Sequence, residues 1–172
     1  MQVPEGLTAQ QIDEFWMNHA RKLAEKAEQS GEVPVGAVVV LNGELISEAY
    51  NQPIQNNDPT AHAEVLALRA AGKKLGNYRL IDTTLYVTLE PCPMCAGAMV
   101  HARVKRVVFG AYDAKTGAAG SVFDLLQAPQ LNHVLQVDGG IMQFECADQL
   151  SAFFKRRRKE IKAQKRLGQT TG

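Results

Sequence analysis

Residues Thr84–Ala102, TLYVTLEPCPMCAGAMVHA, pass from a strand into a helix and carry two cysteines at the join. Leu85, Tyr86, Val87 and Thr88 favour pleated backbone, so Thr84–Leu89 reads as a buried strand. Pro91 sits at or just before the start of a helix that runs to about Ala102, a position where the missing N–H has no consequence. Cys92 and Cys95 then lie three residues apart in its first turn and share a face. The positive end of that helix favours their thiolate forms.

The pattern continues on both sides of this stretch. Downstream, Val104–Phe109 reads as another strand, followed by a glycine- and alanine-rich loop, Gly110–Ser121, with no core pattern of its own. A short helix over Asp124–Leu131 and a short strand over Val134–Val137 are expected next. A last helix spans Glu145 to about Lys165, apolar at Cys146, Leu150, Phe153 and Phe154 before turning basic. Upstream, Ala61–Leu75 reads as a helix and Asn51–Pro59 as a polar loop. Val35–Leu41 and Leu45–Tyr50 flank Asn42-Gly43, a strong hairpin signal. Thr8 and Gln11 fit a capping box that opens a first helix over Ala9–Ser30, closed by Gly31. Strands and helices alternating after a hairpin predict an α/β sandwich, with helices on both faces of a central mixed sheet of about five strands.

With 172 residues, 45% of them hydrophobic, the chain has material for one core and needs no disulfide staples. It reads as a single domain over residues 1–172, with 1–8 as a flexible lead-in. Cys92, Cys95 and Cys146 are too few and too unevenly spaced for a disulfide framework. No basic-then-apolar leader opens the chain, and no apolar run approaches a membrane span. The expected compartment is the cytoplasm, without membrane contact. The net charge of +1 hides an asymmetry: residues 155–172 carry +7, which leaves −6 for residues 1–154. A basic helix end on a near-neutral protein suggests a local polyanion contact.

His62-Ala63-Glu64, about 30 residues before the cysteines, completes a metal-binding pattern. One imidazole and two thiolates are zinc's preferred donors, and three protein ligands leave the open position of a catalytic site. His62 and Glu64, two apart, converge only if their helix points its N-terminus at the metal; the reading therefore requires two helices aimed end-on at one ion. Glu64 is the candidate proton carrier for a nucleophilic water. Two other readings compete. A thioredoxin-type redox pair needs no His-x-Glu partner, and a structural zinc would need a fourth ligand. Cys146, His101 or His133 could supply one, but without motif-like spacing. Gly110–Gly117 resembles a phosphate loop but lacks the Gly-Lys-Ser/Thr ending, and Lys115-Thr116-Gly117 has no Ser-x-x-Lys to complete a β-lactamase set.

His-x-Glu with Pro-Cys-x-x-Cys resembles the signature of zinc deaminases acting on nucleobases, the tRNA adenosine enzymes among them. Beyond it, Glu32–Ala37, Asp58–Glu64, Tyr86–Met99, Val108–Ala111, Asp113–Ser121 and the terminal Phe153-Phe154 with its arginines closely resemble the bacterial tRNA-specific adenosine deaminases. The likeness runs from about Trp16 to Lys165.

That resemblance implies a cytidine-deaminase-like α/β/α fold, a homodimer, and conversion of adenosine to inosine at the wobble position of an arginine tRNA. It implies one zinc per subunit on His62, Cys92 and Cys95, with Glu64 as the catalytic acid and base. The anticodon stem-loop would be the partner. Asn51 would hydrogen-bond the nucleoside, Val35 would wall the base pocket, and Ala63 would stand among the substrate-binding residues. Asp113 and Lys115 would meet flanking nucleotides; Phe154, Arg157 and Arg158 would help hold the RNA. Phe153 and Phe154 could alternatively pack into the core, leaving the arginines as a solvated helix end. A free-base or nucleoside deaminase, such as a guanine or cytosine deaminase, and a non-catalytic zinc module that binds RNA are the rival functions.

Overall fold

The computed structural model describes residues 1–169, with side chains through Arg166; the last residues of the basic tail, 170–172, lie outside the described residues. The first helix, α1 (Ala9–Gln29), opens on a complete capping box: Thr8 accepts from the Gln11 N–H while Gln11 accepts from the Thr8 N–H. Its buried residues, Asp13, Trp16, Met17, Ala20, Leu23, Ala24 and Ala27, recur every three or four positions and form one stripe. Gly31, at φ 78, lets the chain leave the helix.

The hairpin β1 (Gly36–Leu41) and β2 (Glu44–Tyr50) turns through Asn42 at φ 51 and Gly43 at φ 75. Two positive φ values are what a type I′ turn needs, and its twist matches the strands. After it come a one-turn helix α2 (Pro53–Asn56), then α3 (Ala63–Leu75), β3 (Thr84–Leu89), α4 (Pro93–Ala102), β4 (Arg106–Ala111), β5 (Gln136–Gly139) and α5 (Gln143–Gln169). The five strands form one mixed sheet in the order β2-β1-β3-β4-β5. β1 pairs antiparallel with β2 and β3, whereas β3-β4 and β4-β5 are parallel.

Alternate strand residues divide the interior. Ala37, Val39, Leu85, Val87, Val107 and Phe109 pack with residues of α3 and α4, while Val38, Val40, Tyr86 and Val108 pack with α1 and Cys146 of α5. Strands covered on both faces need apolar side chains at every position, which is why β1, β3 and β4 read as near-continuous runs. The three-layer sandwich inferred from the sequence is the fold observed. The residue at position 36 must be glycine: a Cβ there would lie 2.0 Å from the Ala20 carbonyl oxygen, where α1 crosses the sheet.

Some local expectations need correction. No helix forms over Asp124–Leu131; that stretch is a chain of turns with a bridge between Ala119 and Asp124. Leu126 anchors it in the core and its carbonyl accepts from the Leu135 N–H, so one buried side chain and one long-range bond replace a helical ladder. The last strand lies two residues further on than expected, set by the parallel register of Arg106 with Gln136. The polar loop after β2 contains α2, which starts on Pro53 and ends at Asn57 with φ 47. The lead-in over residues 1–8 is tied down at its start: the Val3 N–H donates to the Gly43 carbonyl and the Leu45 N–H to the Met1 carbonyl, each at 2.9 Å.

Candidate active site

Two helices begin at the carboxyl edge of the parallel strands, where α/β sheets place their ligands. His62 is the N-cap of α3 and Cys92 the N-cap of α4, both with extended backbone; Cys95 follows in the first turn of α4. Pro93 opens α4 at a position that needs no N–H. The end-on arrangement required by the sequence is therefore present.

The three donors converge. The Nδ1 atom of His62 lies 3.7 Å from the sulfur of Cys92 and 3.5 Å from that of Cys95. Ligands about 2.0 Å (nitrogen) and 2.3 Å (sulfur) from a tetrahedral zinc stand roughly 3.6 Å from each other, so the triad already has the spacing the ion demands. All three donor atoms fall within 4.8 Å of one another, and among the described residues no fourth histidine, cysteine or acid joins the group. Cys146, His101 and His133 are not part of it. His133 instead bonds the Val104 carbonyl oxygen at 2.8 Å.

The protein groups polarise one another. The Cys92 thiol is pushed down to about 4 by its hydrogen bond with Cys95 and, after that, by its bond with His62. Cys95 is pushed far up by the same bond to Cys92 and by burial, and His62 is raised by its bond to Cys92. Glu64, in the first turn of α3, is buried, and burial pushes its carboxyl up to about 7. Its Oε2 is a buried oxygen with no protein partner. An unpaired carboxylate oxygen beside an open metal triad is poised for a small polar guest.

The zinc-binding region of cytidine and deoxycytidylate deaminases matches residues 10–111 of the chain. The tRNA-specific adenosine deaminase of Haemophilus influenzae is 52% identical over 158 residues, covering 91% of each chain. Its counterpart from Bacillus subtilis is 52% identical over 88% of this chain and 94% of that one. This is a tRNA-specific adenosine deaminase family member. A structure solved in a study of A-to-I editing by tRNA:A34 deaminases superposes on the deaminase with TM-score 0.77 and 42% identity, covering 79% of this chain and 99% of that one. The family binds zinc through this region, and the donor set found here fits that metal.

Two of the deaminase's three metal donors, His62 and Cys92, line a cavity of about 300 Å³ together with Val35, Asn51, Glu64 and Asp113. Val35 and Asn51, named above from the resemblance, both line this cavity. The role open to Asn51 is narrower than expected. Its Oδ1 accepts from the Ala63 N–H at 2.9 Å, capping α3, so one acceptor position of the side chain is committed to the helix while the NH2 group stays available to a guest. Ala63 itself is fully buried and its N–H is committed to that bond.

A second cavity of about 500 Å³ continues from the first past Val33, Leu89, Asp113 and Thr116 to Tyr112, Lys115 and Phe154. Lys115 and Phe154 thus face the extension, not the metal. Phe154 is 44% exposed, whereas Phe153 is buried and meets it edge-on, 5.4 Å between centroids. Arg157 donates to Glu160 at 2.9 Å; Arg158 is exposed one turn beyond Phe154. A larger surface depression, about 670 Å³, lies along α3 and α4 and holds none of the metal donors, so chemistry and not size identifies the site.

Sequence reasoning missed three residues. Tyr112 supplies an aromatic wall to the second cavity. Glu32 and Glu90 are acids, each 2% exposed, that border the first. Glu32 accepts from the Gln55 N–H at 2.8 Å and so fixes α2. For Glu90 the available signal was an acid directly after an apolar strand, which needs buried donors to be stable.

Proposed function

We propose that the deaminase converts adenosine to inosine at the wobble position of an arginine tRNA anticodon, releasing ammonia, with one zinc per subunit on His62, Cys92 and Cys95. The observation that carries this reading is the cavity lined together by His62 and Cys92 of the donor triad, by Glu64, whose buried Oε2 has no protein partner, and by Asn51. Zinc at this triad supplies the Lewis acidity that makes water nucleophilic near neutral pH. Glu64 takes a proton from the attacking water and passes it to the adenine ring nitrogen as the new C–O bond forms. It then takes the proton left on the added hydroxyl and delivers it to the amino group, so that the C–N bond breaks and ammonia leaves. A carboxyl held up near 7 by burial is suited to both directions of transfer. The Asn51 NH2 donates to an acceptor on the nucleoside, with Ala63 acting through Asn51, and Val35 packs against the base. The apolar walls exclude bulk water from the proton route.

The flanking nucleotides occupy the second cavity, against Asp113, Lys115 and Phe154, with Arg157 and Arg158 on the phosphates. Single-stranded RNA is held by stacking and by charge, and both are offered there. An anticodon loop is already unstacked enough to extrude one base at low cost. The outer face of α4 supports a homodimer: the helix is apolar on its buried side and again at the exposed Met94 and at Ala98, which shares a depression with the 71%-exposed Tyr78, and a second copy would cover it. Free thiols at Cys92, Cys95 and Cys146 suit a reducing cytoplasm. Among the described residues no helix is long and apolar enough to cross a membrane.

The test is inosine formation on an arginine-tRNA anticodon stem-loop, with free adenosine, cytidine, cytosine and guanine assayed in parallel. Inosine at the wobble position alone is the expected outcome. Turnover of a free base or nucleoside in its place would overturn the RNA substrate and retain the metal chemistry.

A further inference from the structure

Glu90 is a buried carboxylate that the reaction above leaves unused. It stands between the end of β3 and Cys92, and it is 2% exposed. Four donors converge on it. The N–H groups of Ala119 and Ser121 reach Oε1 at 3.1 and 3.0 Å, the N–H of Asp113 reaches Oε2 at 2.9 Å, and the Ser121 hydroxyl also donates to Oε2. A carboxylate has about four acceptor positions, and here a single loop fills them.

That loop, Asp113–Ser121, carries the wall of the substrate cavity. Asp113 and Thr116 line the same cavity as Glu64, and Glu90 borders it where the loop seats. The loop also closes on itself: the Asp113 carboxylate accepts from the N–H groups of Lys115 and Thr116 and from the Thr116 hydroxyl. Position 117 confirms how tightly the loop is drawn in. A Cβ on Gly117 would lie 2.4 Å from Glu90 Cδ and Oε2 and 2.5 Å from the Asp113 carbonyl oxygen, so only glycine lets the loop seat on the carboxylate.

We infer that Glu90 is a positioning residue: it holds Asp113–Ser121 as a fixed wall of the cavity and sets how tightly substrate binds, without touching the reacting atoms. Its activity readout rests on the proposed RNA substrate; its structural readout does not. Bonds from N–H to carboxylate are charge-assisted, stronger than neutral ones, and aimed at both oxygens. Glutamine in the same place keeps the shape but turns one acceptor into a donor. Whichever way that amide faces, at least one backbone N–H of the loop meets an NH2 group and loses its partner.

The experiment compares Glu90→Gln and Ser121→Ala with the parent enzyme. Single-turnover deamination of the anticodon stem-loop is followed over a range of RNA concentrations. Zinc is measured by elemental analysis, and amide hydrogen exchange over 113–121 is measured on the RNA-free protein. Glu90→Gln is expected to keep one zinc per chain and a saturated rate within about threefold, while half-saturation rises about tenfold or more, as loss of one buried bond implies. Exchange over the loop accelerates. Ser121→Ala, which removes one of the four bonds, raises half-saturation by about threefold. A lowered saturated rate at unchanged half-saturation would overturn the inference, as would wild-type exchange over the loop. If Glu90→Gln does not fold or loses zinc, Ser121→Ala decides by the same two measures. If the parent makes no inosine in the stem-loop, the substrate reading fails, and loop exchange in the variants still decides the role of Glu90.

Discussion

The metal triad and the wall that faces it are built in opposite ways. His62, Cys92 and Cys95 take their places from the first turns of their own helices, and residues two or three positions apart settle the geometry. The wall, Asp113–Ser121, has no helix or strand to shape it; it is held by a carboxylate more than 20 residues away in sequence. The chemistry is thus locally encoded and the substrate fit is encoded at long range. Damage to the first should end the reaction, while damage to the second should weaken binding and leave the chemistry in place.

The largest effect is expected at the triad. Cys92→Ala removes one of three protein ligands, and elemental analysis should find well under one zinc per chain and no measurable inosine. Full zinc occupancy in this variant would break the local half of the comparison. Glu64→Gln comes next. It keeps the volume and the zinc but removes the proton carrier, so turnover should fall about a thousandfold, within the range for loss of a general acid–base group. A fall under about tenfold would mean that another group moves the proton.

The difference between the two regions also explains what could be read from the sequence. The hairpin at Asn42-Gly43, the strand Thr84–Leu89 and the capping box at Thr8 depend on neighbours in the chain, and all three are present as expected. The convergence of His62 with the cysteines could be inferred because only end-on helices satisfy a His-x-Glu and a Cys-x-x-Cys together. Where one distant partner decides the structure, the sequence was silent or misleading. Asp124–Leu131 carries enough helix-forming residues to suggest a helix, but Leu126 in the core and its bond to Leu135 bind it into turns. Glu90 sits beside the most informative motif in the chain, yet nothing local shows that it grips a loop. Asn51 was singled out from the resemblance and lines the cavity, whereas the bond its oxygen accepts from the Ala63 N–H could not be read.

Asn51 sharpens the comparison because it belongs to both regions: it caps the helix that carries His62 and lines the cavity. Asn51→Asp retains an acceptor for the Ala63 N–H and removes the NH2 offered to the nucleoside. It should keep zinc and a melting temperature near the parent's while kcat/KM falls about tenfold, the worth of one buried hydrogen bond. Asn51→Ala loses the cap as well, and should lose about 1 kcal/mol of stability in addition. If Asp restores full activity and Ala does not, Asn51 matters only as a cap.

The smallest effect is expected at the basic end of α5, and there two adjacent arginines should differ. Arg157 is held by Glu160, whose carboxylate already neutralises part of its charge, at 2.9 Å. Arg158 follows Phe154 by one turn and is exposed. Phosphate contact releases counterions from the RNA, so each cation that engages adds about 0.7 to the slope of log affinity against log salt. Arg158→Ala should lower that slope by about 0.7 and weaken binding evenly across anticodon sequences. Arg157→Ala should change it less, because Glu160 competes with the RNA for the guanidinium, and the double change Arg157→Ala with Glu160→Ala should separate the two roles. Equal slopes for Arg158→Ala and the parent would make the end of α5 a solvated helix terminus and confine RNA binding to the two cavities. A drop at Arg157 as large as that at Arg158 would show that RNA displaces Glu160, and that the ion pair belongs to the free enzyme only.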